Sequence, residues 1–136
     1  MKSMDEILIN KSATINRCIK RIEEDYDVDF LSNFTKQDAV ILNIERACQA
    51  AIDMATHVIR LKNLGVPQSH RDAFQKLEQN QIISNELSMR MKAMVGFRNI
   101  AVHDYGNLNI KVVQNIVQNH LNDFHDFSKT ILNLKF

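Results

Sequence analysis

The stretch FRNIAVHDYG, residues 97–106, holds the side chains best suited to chemistry: Arg98, Asn99, His103 and Tyr105. A guanidinium is the preferred fork for phosphate oxygens and stabilises negative charge growing at phosphorus. An imidazole titrates near neutrality, so it can take a proton from one oxygen and return one to another. Together they suit metal-independent cleavage of RNA, in which a ribose 2′-hydroxyl attacks its own phosphate. Asn99 could orient either the imidazole or the phosphate. A plainer reading also fits the residues alone: a surface arginine and a histidine set at a helix end, where the helix dipole favours its positive charge.

The geometry of the stretch has two solutions. If the helix runs on to Tyr105, that residue lies seven positions beyond Arg98 and nearly on its face, at about 100° per residue. Asn99 and His103, four apart, then share a neighbouring face, while Phe97, Ile100 and Ala101 are free to face the core. If the helix breaks at Val102, the imidazole can swing towards Arg98 through a loop.

The elements that carry these groups read as helices. One proline and three glycines in 136 residues are too few for a turn-rich β protein. Residues 4–24 put Ile7, Leu8, Lys11, Ile15, Cys18, Ile19 and Ile22 on one side. After a connection at 25–33, Thr35 and Asp38 resemble a capping box. A long helix with Ile41, Leu42, Ile44, Cys48, Ile52, Val58 and Ile59 inward then runs to about Leu64, before Gly65 and Pro67. Ser69 opens a short helix to about Leu77, and a start near Ser84 leads into the helix of Arg98. Gly96 within it costs roughly 1 kcal/mol against alanine and suits a close helix crossing. Gly106 ends it, and Asn109 opens a single last helix carrying Val112 through Leu132.

The sum is an all-α, up-down bundle of four main helices and a short one, in one domain over residues 1–136. The second and last helices are longer than a small bundle needs and broadly apolar, so a homodimer is expected.

Hydrophobic residues make up 45% of the chain and charged residues 24%. The formal charge is +1, so no global field draws in nucleic acid or membrane, and an anionic ligand must be met by a local site. Cys18 and Cys48 lack metal-ligand spacing and fit small buried thiols of a reducing compartment. With no apolar run near the length of a membrane span, a cytoplasmic protein is expected.

The phrase RNIAVHDY also resembles the arginine–four–histidine–x–tyrosine signature of HEPN-domain toxins from HEPN–MNT toxin–antitoxin pairs, the HepT type. Asn99, directly after the arginine, fits the same pattern. Chain length, helical order and the second-helix phrase NIERACQAAIDMATHVI look like these toxins over essentially the whole chain. The resemblance implies a homodimeric ribonuclease with two copies each of Arg98 and His103 converging in a shared cleft, no cofactor and no metal. It also implies a minimal nucleotidyltransferase antitoxin as partner, transferring AMP from ATP to Tyr105. The adduct would crowd the cleft and repel RNA phosphates. The competing function is a non-catalytic helical module that binds such a nucleotidyltransferase and presents Tyr105.

Other polar groups read as structural. Asp53 and His57, four apart, suit a carboxylate–imidazole hydrogen bond within one helix. Glu45 and Arg46 suit a solvated or interhelical pair, and His70, His120 and His125 lack spacing for a metal. Lys11, Arg17, Lys20 and Arg21 alternate with acids as a solvated face does, and the six methionines suit core filling.

Overall fold

The computed structural model describes residues 5–136. The first position of the predicted opening helix, Met4, lies outside them. Six α-helices follow in order: α1 (Glu6–Asp25), α2 (Phe34–Leu61), α3 (His70–Gln79), α4 (Asn85–His103), α5 (Ile110–Asn119) and α6 (Leu121–Leu132). Among the described residues there is no strand. The all-α bundle expected from composition and periodicity is what forms.

Most helix starts are written in their caps. Asp5, Asn33, Ser69, Ser84 and Asn109 each accept a hydrogen bond from a backbone N–H of the first turn, satisfying donors that a helix cannot pair itself. At α2 the cap is Asn33, not the Thr35–Asp38 box: Asn33 Oδ1 accepts from the Lys36 N–H at 3.1 Å. Gly65 has φ 95°, the left-handed turn expected beyond α2, although α2 itself ends at Leu61. In the α1–α2 connection, buried Phe30 anchors a single 3-10 turn, Phe30–Ser32.

The predicted last helix is two helices. His120 has φ −129° and ψ 1°, so the chain bends between α5 and α6. His120 Nδ1 lies 3.0 Å from Oδ2 of Asp123, and Arg90 Nη1 lies 3.6 Å from its Oδ1. Asp123 is buried, and a buried carboxylate needs such partners. Periodicity ran unbroken across the bend because both pieces face the same core.

One hydrophobic core joins the elements, with Ile15, Ile22, Ile44, Met54, Phe74 and Phe127 among its fully buried members. Helix α1 packs along α2, α3 bridges α2 and α4, and α6 contacts α1, α2 and α4. Helix α5 packs chiefly on α6, at the edge of the bundle. Cys18 and Cys48 are free and buried, and burial pushes both thiols up from their ordinary pKa. Several predicted core positions are exposed instead: Ile7, Leu42 and Val112. No described helix is long and apolar enough to cross a membrane.

Candidate active site

Helix α4 ends at His103, so it does not run through Tyr105 but stops within one residue of Val102, without bringing the imidazole round to Arg98. Asp104 leaves the helix with φ −149°, its N–H still donating to Ile100 O, and Tyr105–Asn107 form a 3-10 turn. Gly106 sits in that turn without a positive φ, so the terminator is Asp104's change of conformation rather than a glycine cap.

Arg98 is half-buried and projects towards α2. Its Nε donates to Oε1 of Gln49 at 3.0 Å, and its Nη1 donates to Oδ1 of Asn99 at 3.3 Å. Gln49 is held in turn: its Nε2 donates to Oδ1 of Asp53 at 2.9 Å, and Asp53 Oδ2 accepts from Lys11 Nζ at 2.9 Å. This relay binds the guanidinium by its inner edge, and among the described residues Nη2 makes no hydrogen bond. Gln49 is absent from the sequence-based candidates. The sequence favours Asp53 as a structural pair member and Lys11 as a solvated-face residue, over a role at the cleft or on RNA, and both join Gln49 here. Their one signal was the α2 spacing of Gln49 and Asp53, a polar i, i+4 pair within an apolar face.

Asp53 and His57 therefore do not bond to each other. Asp53 turns to Gln49 and Lys11, whereas His57 Nε2 meets Oδ2 of Asp5 at 2.9 Å. Both side chains meet the α1 side, where Lys11 of α1 pairs with Asp53 and the N-cap residue Asp5 pairs with His57. Lys11, placed on the apolar face by periodicity, lies at its margin as an ion pair. Glu45 is half-buried and Arg46 exposed.

His103 is exposed at the last turn of α4, and among the described residues it has no hydrogen-bond or ion-pair partner. Five positions separate it from Arg98, about 140° around the helix axis, so within one chain the two groups diverge. Tyr105, 45% exposed, gives its hydroxyl to Asp38 on α2. Partial burial and the Asp38 carboxylate push the phenol up to about 12. The structure thus brings Arg98 to Asn99 and Tyr105 to α2, and leaves His103 open to solvent. Among the described residues no group of three His, Cys, Asp or Glu side chains converges as a metal site would require.

A groove of about 480 Å³ runs between α4 and α5, lined by Met89, Ala93, Phe97, Ile100, Leu108 and Val112 among others. Met89, Ile100 and Val112 are all exposed. Core filling therefore does not describe Met89, and Met94 also reaches the groove from the core.

A family model described as "Ribonuclease HepT-like" matches residues 15–131. An mRNA nuclease HepT from Shewanella oneidensis is 53% identical over 130 residues, 94% of this chain and 98% of the relative. A tRNA nuclease HepT from Aphanizomenon flos-aquae is 30% identical over 90 residues, 66% of this chain and 61% of that protein. The solved structure of a tri-AMPylated Shewanella oneidensis HEPN toxin in complex with an MNT antitoxin superimposes with a TM-score of 0.91 at 53% identity, covering 94% of this chain and 98% of that one. The fold, the motif on α4 and these matches lead to one conclusion: the chain belongs to the HepT-like ribonuclease family.

Proposed function

We propose that this chain is the toxin of a toxin–antitoxin pair and cuts cellular RNA without a metal ion, using Arg98 and His103. The observation that carries the reading is the tether on Arg98. With Nε given to Gln49, the guanidinium presents its outer edge for the oxygens of a scissile phosphate. In the cleavage step the 2′-oxygen bonds to phosphorus and the 5′-oxygen leaves, giving a 2′,3′-cyclic phosphate and a 5′-hydroxyl. His103 moves a proton between these oxygens, and Asn99 steadies the guanidinium from its Nη1 side.

Because Arg98 and His103 diverge around α4, the reaction centre is assembled from two copies of the chain. The exposed apolar groove between α4 and α5 supports a homodimer on this face. This replaces the sequence-based argument from the second and last helices: α2 is covered mostly by its own chain, and the last helix is broken in two.

Tyr105 is the site of AMPylation by an MNT-type nucleotidyltransferase partner. The phenolic oxygen bonds to the α-phosphorus of ATP, pyrophosphate leaves, and Asp38, already hydrogen-bonded to the hydroxyl, takes its proton. The similar Shewanella oneidensis toxin, tri-AMPylated in complex with its MNT antitoxin, supports this. Both reactions belong in the cytoplasm, where RNA and ATP are available.

The test is cleavage of RNA by purified protein beside Arg98→Ala and His103→Ala. Each substitution should cost about two to four orders of magnitude in rate, the range of a positioned acid–base or electrostatic group. Equal cleavage by all three proteins would leave these residues no catalytic role, and binding to the nucleotidyltransferase without any cleavage would make the chain a presenting module.

A further inference from the structure

Gly96 was read as a point of close helix crossing, but its neighbour is a side chain. A Cβ at Gly96 would lie 2.9 Å from Nη2 of Arg71. The guanidinium of Arg71, from the first turn of α3, therefore rests on the bare backbone of α4. Arg71 is exposed, and among the described residues no carboxylate pairs with it. It lines an open pocket of about 520 Å³ with Ser69, His70, Val95 and Asn99. Asn99 is the same residue that holds Nη1 of Arg98.

Helix geometry orders these groups. From Gly96 to His103 is seven residues, so the two positions face within about 20° of each other and lie about 10 Å apart along the axis. Asn99 falls between them on the same side. An unpaired guanidinium, an amide and an exposed imidazole thus line one stripe of α4, and about 10 Å is the rise of about three stacked nucleotides at ~3.4 Å each.

We infer that Arg71, seated on Gly96, is a phosphate-binding residue for the RNA strand, gripping the backbone a few nucleotides from the bond cut at His103. The inference rests on the ribonuclease reading for its direction along the strand. Its chemistry is a guanidinium fork on a phosphodiester, with no base contact and so no sequence preference. Glycine at 96 leaves room for this seat, since a Cβ there would make the end of the Arg71 side chain shift.

The test is binding of a single-stranded RNA oligonucleotide to the His103→Ala protein, which keeps the strand intact. Arg71→Ala should weaken binding about five- to tenfold, the effect of one lost charged hydrogen-bond pair, and reduce the slope of log affinity against log salt by about 0.7. Arg71→Lys should restore the slope but only part of the affinity, because it keeps the charge without the fork. Gly96→Ala should raise the thermal midpoint, because alanine favours the helix, and should weaken binding less than Arg71→Ala does, since the end of the Arg71 side chain can shift aside. Oligonucleotides too short to span the stripe should bind Arg71→Ala and its parent alike. Equal affinity and salt slope with and without Arg71 on the longer strand would overturn the inference, as would capture of a partner protein, but not RNA, that depends on Arg71. Failure of the parent chain to cleave RNA would instead strike the catalytic reading, since the binding measurement does not depend on it.

Discussion

Arg98 on α4 and Gln49 on α2 are joined by a 3.0 Å hydrogen bond between Nε and Oε1. The bond determines which edge of the guanidinium faces outward. An arginine side chain carries about 2 kcal/mol of rotamer entropy, and much of that freedom is already lost before substrate arrives. Asp53 and Lys11 extend the hold to α1.

Removing the tether while keeping the bulk should therefore reduce catalysis more than stability. Gln49→Leu is expected to slow RNA cleavage about ten- to a hundredfold, the scale of a small misplacement of a catalytic group. The melting midpoint should move little, since Gln49 is only half-buried. Single-turnover rates beside thermal melts measure both, and an unchanged rate would mean that Arg98 orients itself.

Tyr105 should titrate late. Partial burial and the Asp38 carboxylate favour the neutral phenol, with its pKa near 12. The folded state holds this proton more tightly than the unfolded chain does. The associated stability is complete below the ordinary tyrosine value of 10.0 and is lost as pH rises from there through the folded value. Asp38→Asn should bring the phenol part of the way back, because burial is the larger cause, and should slow AMP transfer to Tyr105. Ultraviolet titration and intact-mass measurement with ATP and the nucleotidyltransferase follow the two effects. Labelling that survives Tyr105→Phe would move the modification elsewhere.

The Asp5–His57 pair should appear in acid. Its hydrogen bond to His57 holds the Asp5 carboxyl below the ordinary value of 3.8. A depressed carboxyl stabilises the fold above its unfolded pKa, and that contribution disappears as pH falls through the folded one. Asp5→Asn keeps a good N-cap acceptor for the Leu8 N–H, so it isolates the histidine contact. Urea melts should show a flatter acid-side decline for this variant, and parallel declines would show that the pair adds nothing.

Ile100 is 43% exposed beside the α4–α5 groove. A charge there would be buried without a partner in a two-copy assembly. Ile100→Glu is expected to sediment as a monomer and to lose most cleavage with its fold intact. A variant that stays dimeric, or a monomer with full activity, would require Arg98 and His103 to work within one chain.

Much of this molecule is local. The caps at Ser69, Ser84 and Asn109, the left-handed Gly65 and the inward stripe of α4 follow from short-range hydrogen bonding and helical spacing, which residue order alone expresses. The chemical types in the Arg98–Tyr105 phrase were legible for the same reason. Tertiary structure decided what those residues touch. Asp53 left His57 for Lys11, Tyr105 left the helix to reach Asp38 across 67 positions, and Arg71 came to lie on Gly96. These are contacts between side chains on different helices, and their partners depend on how the helices pack around a common core rather than on any spacing within one of them.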